Sequence, residues 1–66
     1  MPILRVSMWA GQSKQRKAEL AKALTDTMVA VAKVPPQAVT IQIEEESKDN
    51  WATGGTLHSA LFKDQA

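Results

Sequence analysis

The chain has 66 residues, a net charge of +1 and no cysteine. This length allows one domain, residues 1–66, and the nearly neutral charge argues against nucleic acid as a partner. Because cysteine is absent and His58 is the single histidine, neither disulfides nor the usual zinc sites can stabilise so small a core. Self-association is the remaining route, so we expect an oligomer.

The sequence gives no sign of a membrane segment or an export signal. No apolar run approaches the ~20 residues that span a bilayer. Arg5 interrupts the short apolar start where a signal peptide needs a continuous one. We therefore expect a cytoplasmic protein with no membrane partner, no metal and no cofactor.

The first half of the chain predicts a strand followed by a helix. Over residues 3–9, alternate positions are apolar, as in a half-buried strand. Ser13 is a suitable N-cap for a helix from residue 14 to about residue 33. Pro35-Pro36 then ends the helix, because neither proline supplies an amide hydrogen. The apolar residues at helical spacing are Leu20, Leu24, Met28 and Val31.

The second half begins with another predicted strand. Val39, Ile41 and Ile43 alternate with polar residues, which predicts a half-buried strand over residues 39–43. The polar stretch 44–50 is predicted to be a solvated loop.

A short hairpin or turn is predicted for residues 51–57, around Gly54-Gly55. The tail, residues 58–66, has helical propensity but little pattern. Strand, helix and strand at these lengths predict a β-α-β unit of the α/β (α+β) class with two parallel strands. One helix leaves the other sheet face and both edges uncovered, so copies of the chain are expected to cover them.

The most informative candidate for chemistry is Pro2. Removal of Met1 exposes a secondary amine on a rigid ring, and the following strand holds that ring in place for general-base catalysis. Burial against an apolar wall lowers the pKa of such an amine toward neutrality. Many proteins begin with Met-Pro, however, and most of them make no such use of it.

A serine-type triad is a weak alternative. Ser59, His58 and Asp64 supply the residue types, but neighbours in sequence carry no geometric support for that arrangement.

Several features occur in a characteristic order along the chain. They are Pro2-Ile3, the turn Gly11-x-Ser13, a helix of this length, two prolines, the second strand and Lys48-x-x-Trp51-x-x-Gly54-Gly55. In this combination the sequence resembles subunits of the 4-oxalocrotonate tautomerase family, from Pro2 to about Leu57.

This resemblance implies a tautomerase-like β-α-β subunit that assembles into a homo-oligomer, a hexamer built as a trimer of dimers, with active sites shared between subunits. It also implies an isomerase that interconverts keto and enol forms of a small-molecule substrate. Pro2 is then the catalytic base and afterwards the acid, acting on an enolisable 2-oxo acid-like compound.

The resemblance also assigns roles to two tryptophans. Trp51 stands where relatives usually have a phenylalanine that forms an apolar wall near the proline, and a wall of this kind lowers the amine pKa. Trp9 falls at another position that lines the pocket. Each has an alternative structural role, Trp51 as an interface plug and Trp9 as a strand-end anchor.

Two positions depart from the family pattern. Gln12 and Thr40 stand where relatives that act on 2-hydroxymuconate carry arginines, which hold the substrate carboxylate. Gln12 and Thr40 donate hydrogen bonds without charge, so a less charged, phenylpyruvate-like substrate is expected.

Other cations offer partial substitutes. Arg5 shares a strand with Pro2 and points either into a shared site or into an interface ion pair. Lys14, Arg16 and Lys17 lie in the first helical turn, where cations are unfavourable. They indicate an anion site or, as we favour, a solvated face or a patch that pairs with Glu44-Glu45-Glu46 of a neighbour.

Two alternatives to the isomerase remain. One is dehalogenase or decarboxylase activity, and the other is a non-catalytic, self-assembling relative.

Overall fold

The computed structural model describes residues 2–65. Met1, whose removal is expected above, and Ala66 lie outside the described residues. Two short 3-10 turns, Pro36–Ala38 and Lys48–Asn50, flank the second strand. The strands and helices are β1 (Ile3–Trp9), α1 (Lys14–Ala32), β2 (Thr40–Glu46), β3 (Ala52–Thr53), β4 (Thr56–Leu57) and α2 (His58–Leu61). The predicted β-α-β unit with a short C-terminal hairpin is confirmed.

The main sheet consists of β1 and β2, which pair in parallel. Leu4 pairs with Ile41 and Val6 pairs with Ile43, and these apolar pairs are half-buried on the face that carries α1. On the other face, which we call the open face, the alternating positions of both strands are exposed, except for the half-buried Trp9 at the end of β1. The period-two pattern of the sequence therefore separates the two faces as predicted.

Helix α1 begins at the predicted cap. The hydroxyl of Ser13 accepts a hydrogen bond from the backbone N–H of Arg16 at 3.1 Å, which satisfies one of the free donors of the first turn. At the other end, Lys33 adopts a left-handed conformation with φ of 60°. The helix thus ends before the prolines, because Val34 precedes Pro35 and such a position disfavours helical backbone.

The predicted loop at residues 44–50 is wrong in its first half. Glu44, Glu45 and Glu46 continue β2 and pair with the last residues of β1, including Trp9. A strand extends as long as its neighbour offers backbone partners, and β1 is seven residues long. The strand also starts at Thr40, one residue later than predicted.

The hairpin of β3 and β4 turns at two glycines. Thr53 pairs with Thr56, and the intervening Gly54 and Gly55 have φ of 62° and 84°. A two-residue turn with both φ values positive is the type that matches the twist of the strands, and glycine adopts it without steric cost. The four-residue helix α2 follows at once.

Residues 2–65 of a single chain form no buried core. Among residues 2–65 none is buried, and the side chains between sheet and helix are only half-buried. The radius of gyration is 14.8 Å, against about 11 Å for a compact domain of this length. Ile3 on the open face remains 58% exposed. Apolar surface of the single chain is thus left exposed to solvent.

Within the described residues, no helix is both long and apolar enough to cross a bilayer.

Candidate active site

Pro2 lies at the amino end of β1, directly before the first residue that pairs with β2. Its carbonyl oxygen accepts a hydrogen bond from the backbone N–H of Thr40 at 3.1 Å, and the residue is half-buried. Since the five-membered ring fixes its own φ, this hydrogen bond to the sheet fixes the position of the proline.

Thr40 and Arg5 lie on the open face near this end of the sheet. Thr40 pairs with Ile3, and Arg5 pairs with Gln42 two positions further along. Both side chains are exposed. Within residues 2–65, Arg5 takes part in no ion pair, so its charge is available on the surface that a neighbouring copy would cover.

The other candidate residues lie at the opposite end of the strands. Trp9 ends β1, seven residues after Pro2, which corresponds to about 23 Å at ~3.3 Å per residue. Gln12 follows in the loop to α1, and Trp51 follows the 3-10 turn after β2. One chain therefore brings Pro2, Arg5 and Thr40 toward one end and the remaining candidates to the other.

Trp9 and Trp51 belong to an aromatic cluster that also contains His58 and Phe62. The rings of Trp51 and His58 are stacked, with centroids 5.8 Å apart and an interplanar angle of 18°. Trp9 meets His58 edge to face at 5.6 Å and Phe62 at 5.4 Å. The indole N–H of Trp51 donates to the Glu46 carbonyl at 3.2 Å. All four rings are half-buried, so part of the cluster faces outward.

Sequence reasoning did not identify His58 and Phe62 as members of this cluster. The hairpin supplies the missing signal, because pairing of Ala52 with Leu57 places residue 58 beside residue 51. The backbone N–H of His58 accordingly donates to the carbonyl of Trp51 at 2.8 Å.

Both ring nitrogens of His58 have partners. Nδ1 lies 2.9 Å from Nε1 of Trp9, and Nε2 lies 2.8 Å from Oγ1 of Thr53. An indole nitrogen only donates, so Nδ1 must be the acceptor and the proton must sit on Nε2. The triad of Ser59, His58 and Asp64 is therefore not formed, since neither nitrogen is left for Ser59.

Lys48 fastens the tail to this cluster. Its Nζ lies 4.7 Å from the centroid of the Trp9 ring and donates to the Phe62 carbonyl at 2.5 Å. A cation over an indole face is attractive by ~0.5–1 kcal/mol at exposed sites and more when desolvated. The tail is thus held against Trp9 at the carboxyl end of the sheet.

The loop that carries Gln12 is fixed by Glu45. Its carboxylate accepts from Nζ of Lys17 at 2.5 Å and from the backbone N–H groups of Gly11 and Gln12. The hydrogen bond from Lys17 is the main reason that the pKa of Glu45 lies below its ordinary value, and the charge of Lys17 and the two N–H groups add to it against the effect of burial. Lys17 therefore pairs inside its own chain.

An open groove of about 720 Å³ runs beside this loop and the first turns of α1. Gln12 and Arg16 line it, together with Met8 and Leu20. Arg16 and Lys14 are exposed, as expected for a solvated face.

Comparison with known proteins gives the family. Residues 2–61 match the family model described as tautomerase enzyme. The chain therefore belongs to the tautomerase family, an enzyme family of the isomerase class.

Individual relatives agree over almost the full length. A probable tautomerase of Bacillus cereus is 33% identical, over 83% of this chain and 90% of the relative. TomN, a 4-oxalocrotonate tautomerase homologue in the tomaymycin biosynthetic pathway, superimposes with a TM-score of 0.89 at 31% identity, covering 94% of this chain and 95% of TomN. A heterohexameric 4-oxalocrotonate tautomerase from Chloroflexus aurantiacus J-10-fl has a TM-score of 0.86 at 38% identity, covering 92% of this chain and 98% of its own.

Proposed function

We propose that this protein is a 4-oxalocrotonate tautomerase-like isomerase in which the amine of Pro2, exposed by removal of Met1, is the general base and then the general acid. The observation that supports this role is the half-buried position of Pro2, fixed at the start of β1 by the hydrogen bond from Thr40. A base held in one place within reach of the substrate is what proton transfer requires.

The reaction moves one proton on an enolisable 2-oxo acid-like small molecule. The neutral amine of Pro2 takes a proton from the enol hydroxyl or from the carbon next to the carbonyl, and the conjugated electrons shift. The resulting ammonium group returns the proton to another atom of the same conjugated system. The proton leaves and returns through one amine, so the step balances without a cofactor.

We propose further that the apolar wall of the site comes from another copy of the chain. Trp9 is about 23 Å along β1 from the Pro2 of its own chain, too far to touch the same small substrate. Trp51 lies with Trp9 in the aromatic cluster at that end of the sheet. A homohexamer arranged as a trimer of dimers brings the two ends of the sheet together from different subunits. The absence of any buried residue in the described chain supports such an assembly. The heterohexameric relative provides a precedent for six subunits, although its subunits are of more than one kind.

The charge of the candidate site favours a substrate with a single carboxylate and an apolar end. Gln12 and Thr40 offer hydrogen bonds only, and Arg5 is the cation on the open face nearest to Pro2. The exposed parts of Trp9 and Trp51 offer aromatic surface. We therefore expect phenylenolpyruvate to be a better substrate than the dicarboxylate 2-hydroxymuconate.

The test is an assay of methionine-free protein, verified by mass, with both compounds. The matched variant is Pro2→Ala, which loses the secondary amine and the rigid ring. General-base contributions are typically ~10²- to 10⁴-fold, so the rate is expected to fall by about that factor. A second control is protein that retains Met1, whose Pro2 nitrogen is an amide and is expected to be inactive. Equal rates for wild type and Pro2→Ala would contradict the assignment and favour a non-catalytic, self-assembling relative. The presence of Gln12 and Thr40 in place of the family arginines also favours that alternative.

A further inference from the structure

His58 lies at the centre of the aromatic cluster and has no part in the proposed proton transfer. It is the residue that contacts Trp9, Trp51 and Phe62 at once, with ring centroids 5.1 to 5.8 Å away. We propose that His58 is a positioning residue that holds the two indole rings as one wall, and that this wall sets the preference for an aromatic substrate. The effect on substrates depends on the proposed function, whereas the effect on the indoles does not.

Both side-chain hydrogen bonds of His58 have a defined direction. The Trp9 indole donates to Nδ1 of His58, and the proton on Nε2 points to Oγ1 of Thr53. The two hydrogen bonds therefore point in the same direction: Trp9 donates to the imidazole, and the imidazole donates to Thr53. Turning the imidazole by 180° about its Cβ–Cγ bond would place carbon atoms at both contacts, so one ring orientation satisfies both. The neutral imidazole thereby fixes the rotamer of Trp9.

The position of the Trp51 ring also depends on His58. Its indole N–H is already bonded to the Glu46 carbonyl, so its ring plane is fixed at the nitrogen edge. His58 stacks on the face of this ring at an interplanar angle of 18°, in the offset arrangement that aromatic pairs prefer. Contact with His58 therefore fixes Trp51 by its face and Trp9 by its nitrogen.

The backbone leaves His58 little conformational freedom. Its N–H donates to the Trp51 carbonyl and its carbonyl accepts from the N–H of Phe62, both at 2.8 Å. Lys48 holds Phe62 from the other side through the Phe62 carbonyl. The backbone of His58 is thus held by hydrogen bonds at both its N–H and its carbonyl, independently of the contacts that the imidazole makes. A wall of fixed rings loses less conformational entropy when a planar ligand packs against it than mobile rings do.

Three substitutions separate the two contributions of the imidazole. His58→Asn keeps an acceptor close to the position of Nδ1 but removes the ring. His58→Phe keeps a ring for Trp51 but removes the acceptor, and His58→Ala removes both. Circular dichroism and sedimentation on all three variants show whether the fold and assembly are preserved.

The first measurement is the NMR signal of the Trp9 indole N–H, which does not depend on catalysis. Wild type and His58→Asn are expected to keep a downfield signal that exchanges slowly with solvent. His58→Phe and His58→Ala are expected to shift it upfield and to speed its exchange. An unchanged Trp9 signal in a folded His58→Ala variant would overturn the positioning role.

The second measurement is the KM for phenylenolpyruvate relative to the KM for 2-hydroxymuconate. In His58→Ala we expect the first KM to rise several-fold, up to about tenfold for one lost hydrogen bond and a looser ring, with kcat nearly unchanged. His58→Phe should restore part of this loss through stacking on Trp51. A KM ratio equal to that of wild type would overturn the specificity role. If Pro2→Ala proves as active as wild type, the proposed function fails, and the NMR measurement still decides the positioning role.

Discussion

Lys17 in α1 and Glu45 in β2 form an ion pair across 28 positions of the sequence, with Nζ and Oε1 2.5 Å apart. The same carboxylate accepts the backbone N–H groups of Gly11 and Gln12. One side chain therefore joins the helix, the sheet and the loop that carries Gln12. The side chains of the pair keep only 35% and 19% of their surface exposed.

The first prediction concerns the pH dependence of this contact. Lys17 and the two N–H groups lower the pKa of Glu45 from its ordinary value of 4.5, so folding favours the ionised carboxylate. A lowered folded-state pKa gives stability that is present above the unfolded pKa and is lost as the pH falls through the folded pKa. Glu45→Gln should therefore have a lower urea midpoint than wild type at neutral pH, and the two midpoints should converge as the pH falls below 4.5.

A matched control is Asp26→Asn, which removes the partner of Lys22. That pair lies at positions i and i+4 of α1, with side chains 78% and 64% exposed. Such surface pairs contribute little, so its midpoint should follow that of wild type. A difference between wild type and Glu45→Gln that stays constant at every pH would contradict the ion-pair explanation.

Local signals were sufficient to predict β1, the Ser13 cap and the turn at Gly54-Gly55, because each depends on residues close in sequence. The end of β2 was not predictable in this way. The sequence of Glu44–Glu46 is typical of a polar loop, and only the length of the neighbouring β1 shows that these residues pair with it. His58 was missed for the same reason, since its contact with Trp9 spans 49 positions.

The candidate site was predictable as a set of residues but not as an arrangement. The family resemblance supplied Pro2, Trp51 and Gln12 without their distances. A parallel sheet places the start of β1 and the segments after both strands at opposite ends, which follows from the topology alone. How subunits bring these ends together depends on surfaces that no local pattern describes.

The second prediction tests the apolar wall. Trp51→Ala exposes the proposed neighbouring amine to water, which favours its charged form and raises the pKa of the Pro2 amine. The acid limb of the pH profile of kcat/KM should therefore move to higher pH. Trp51→Phe keeps an apolar ring and should move it much less. If the acid limb of Trp51→Ala coincides with that of wild type, Trp51 does not shield the amine.

The third prediction concerns the end of α1. Lys33 has a left-handed backbone with φ of 60°, which costs an L-residue roughly 1–2 kcal/mol. Lys33→Gly removes this cost but adds freedom to the unfolded chain, so we expect a net gain of about 0.5–1 kcal/mol in the free energy of unfolding. Ala32→Gly, inside the last turn, should instead lose about 0.5–1 kcal/mol. Urea denaturation measures both, and a loss for Lys33→Gly would show that its side chain makes a stabilising contact.

The fourth prediction concerns the surface that assembly covers. Ile3 lies on the open face and is 58% exposed in the single chain, and burying such a side chain contributes ~1.5–3 kcal/mol in each subunit. Ile3→Lys should therefore dissociate the oligomer at micromolar concentration and lower its urea midpoint, as measured by analytical ultracentrifugation and circular dichroism. Val31→Lys makes the same replacement on α1, where Val31 is 76% exposed, and should leave the assembly intact. The midpoint of wild type should rise with protein concentration, because association and folding are linked. A wild-type chain that sediments as a stable folded monomer would contradict assembly itself. If Val31→Lys dissociates the oligomer and Ile3→Lys does not, the contact between subunits lies on α1 and the open face is exposed to solvent.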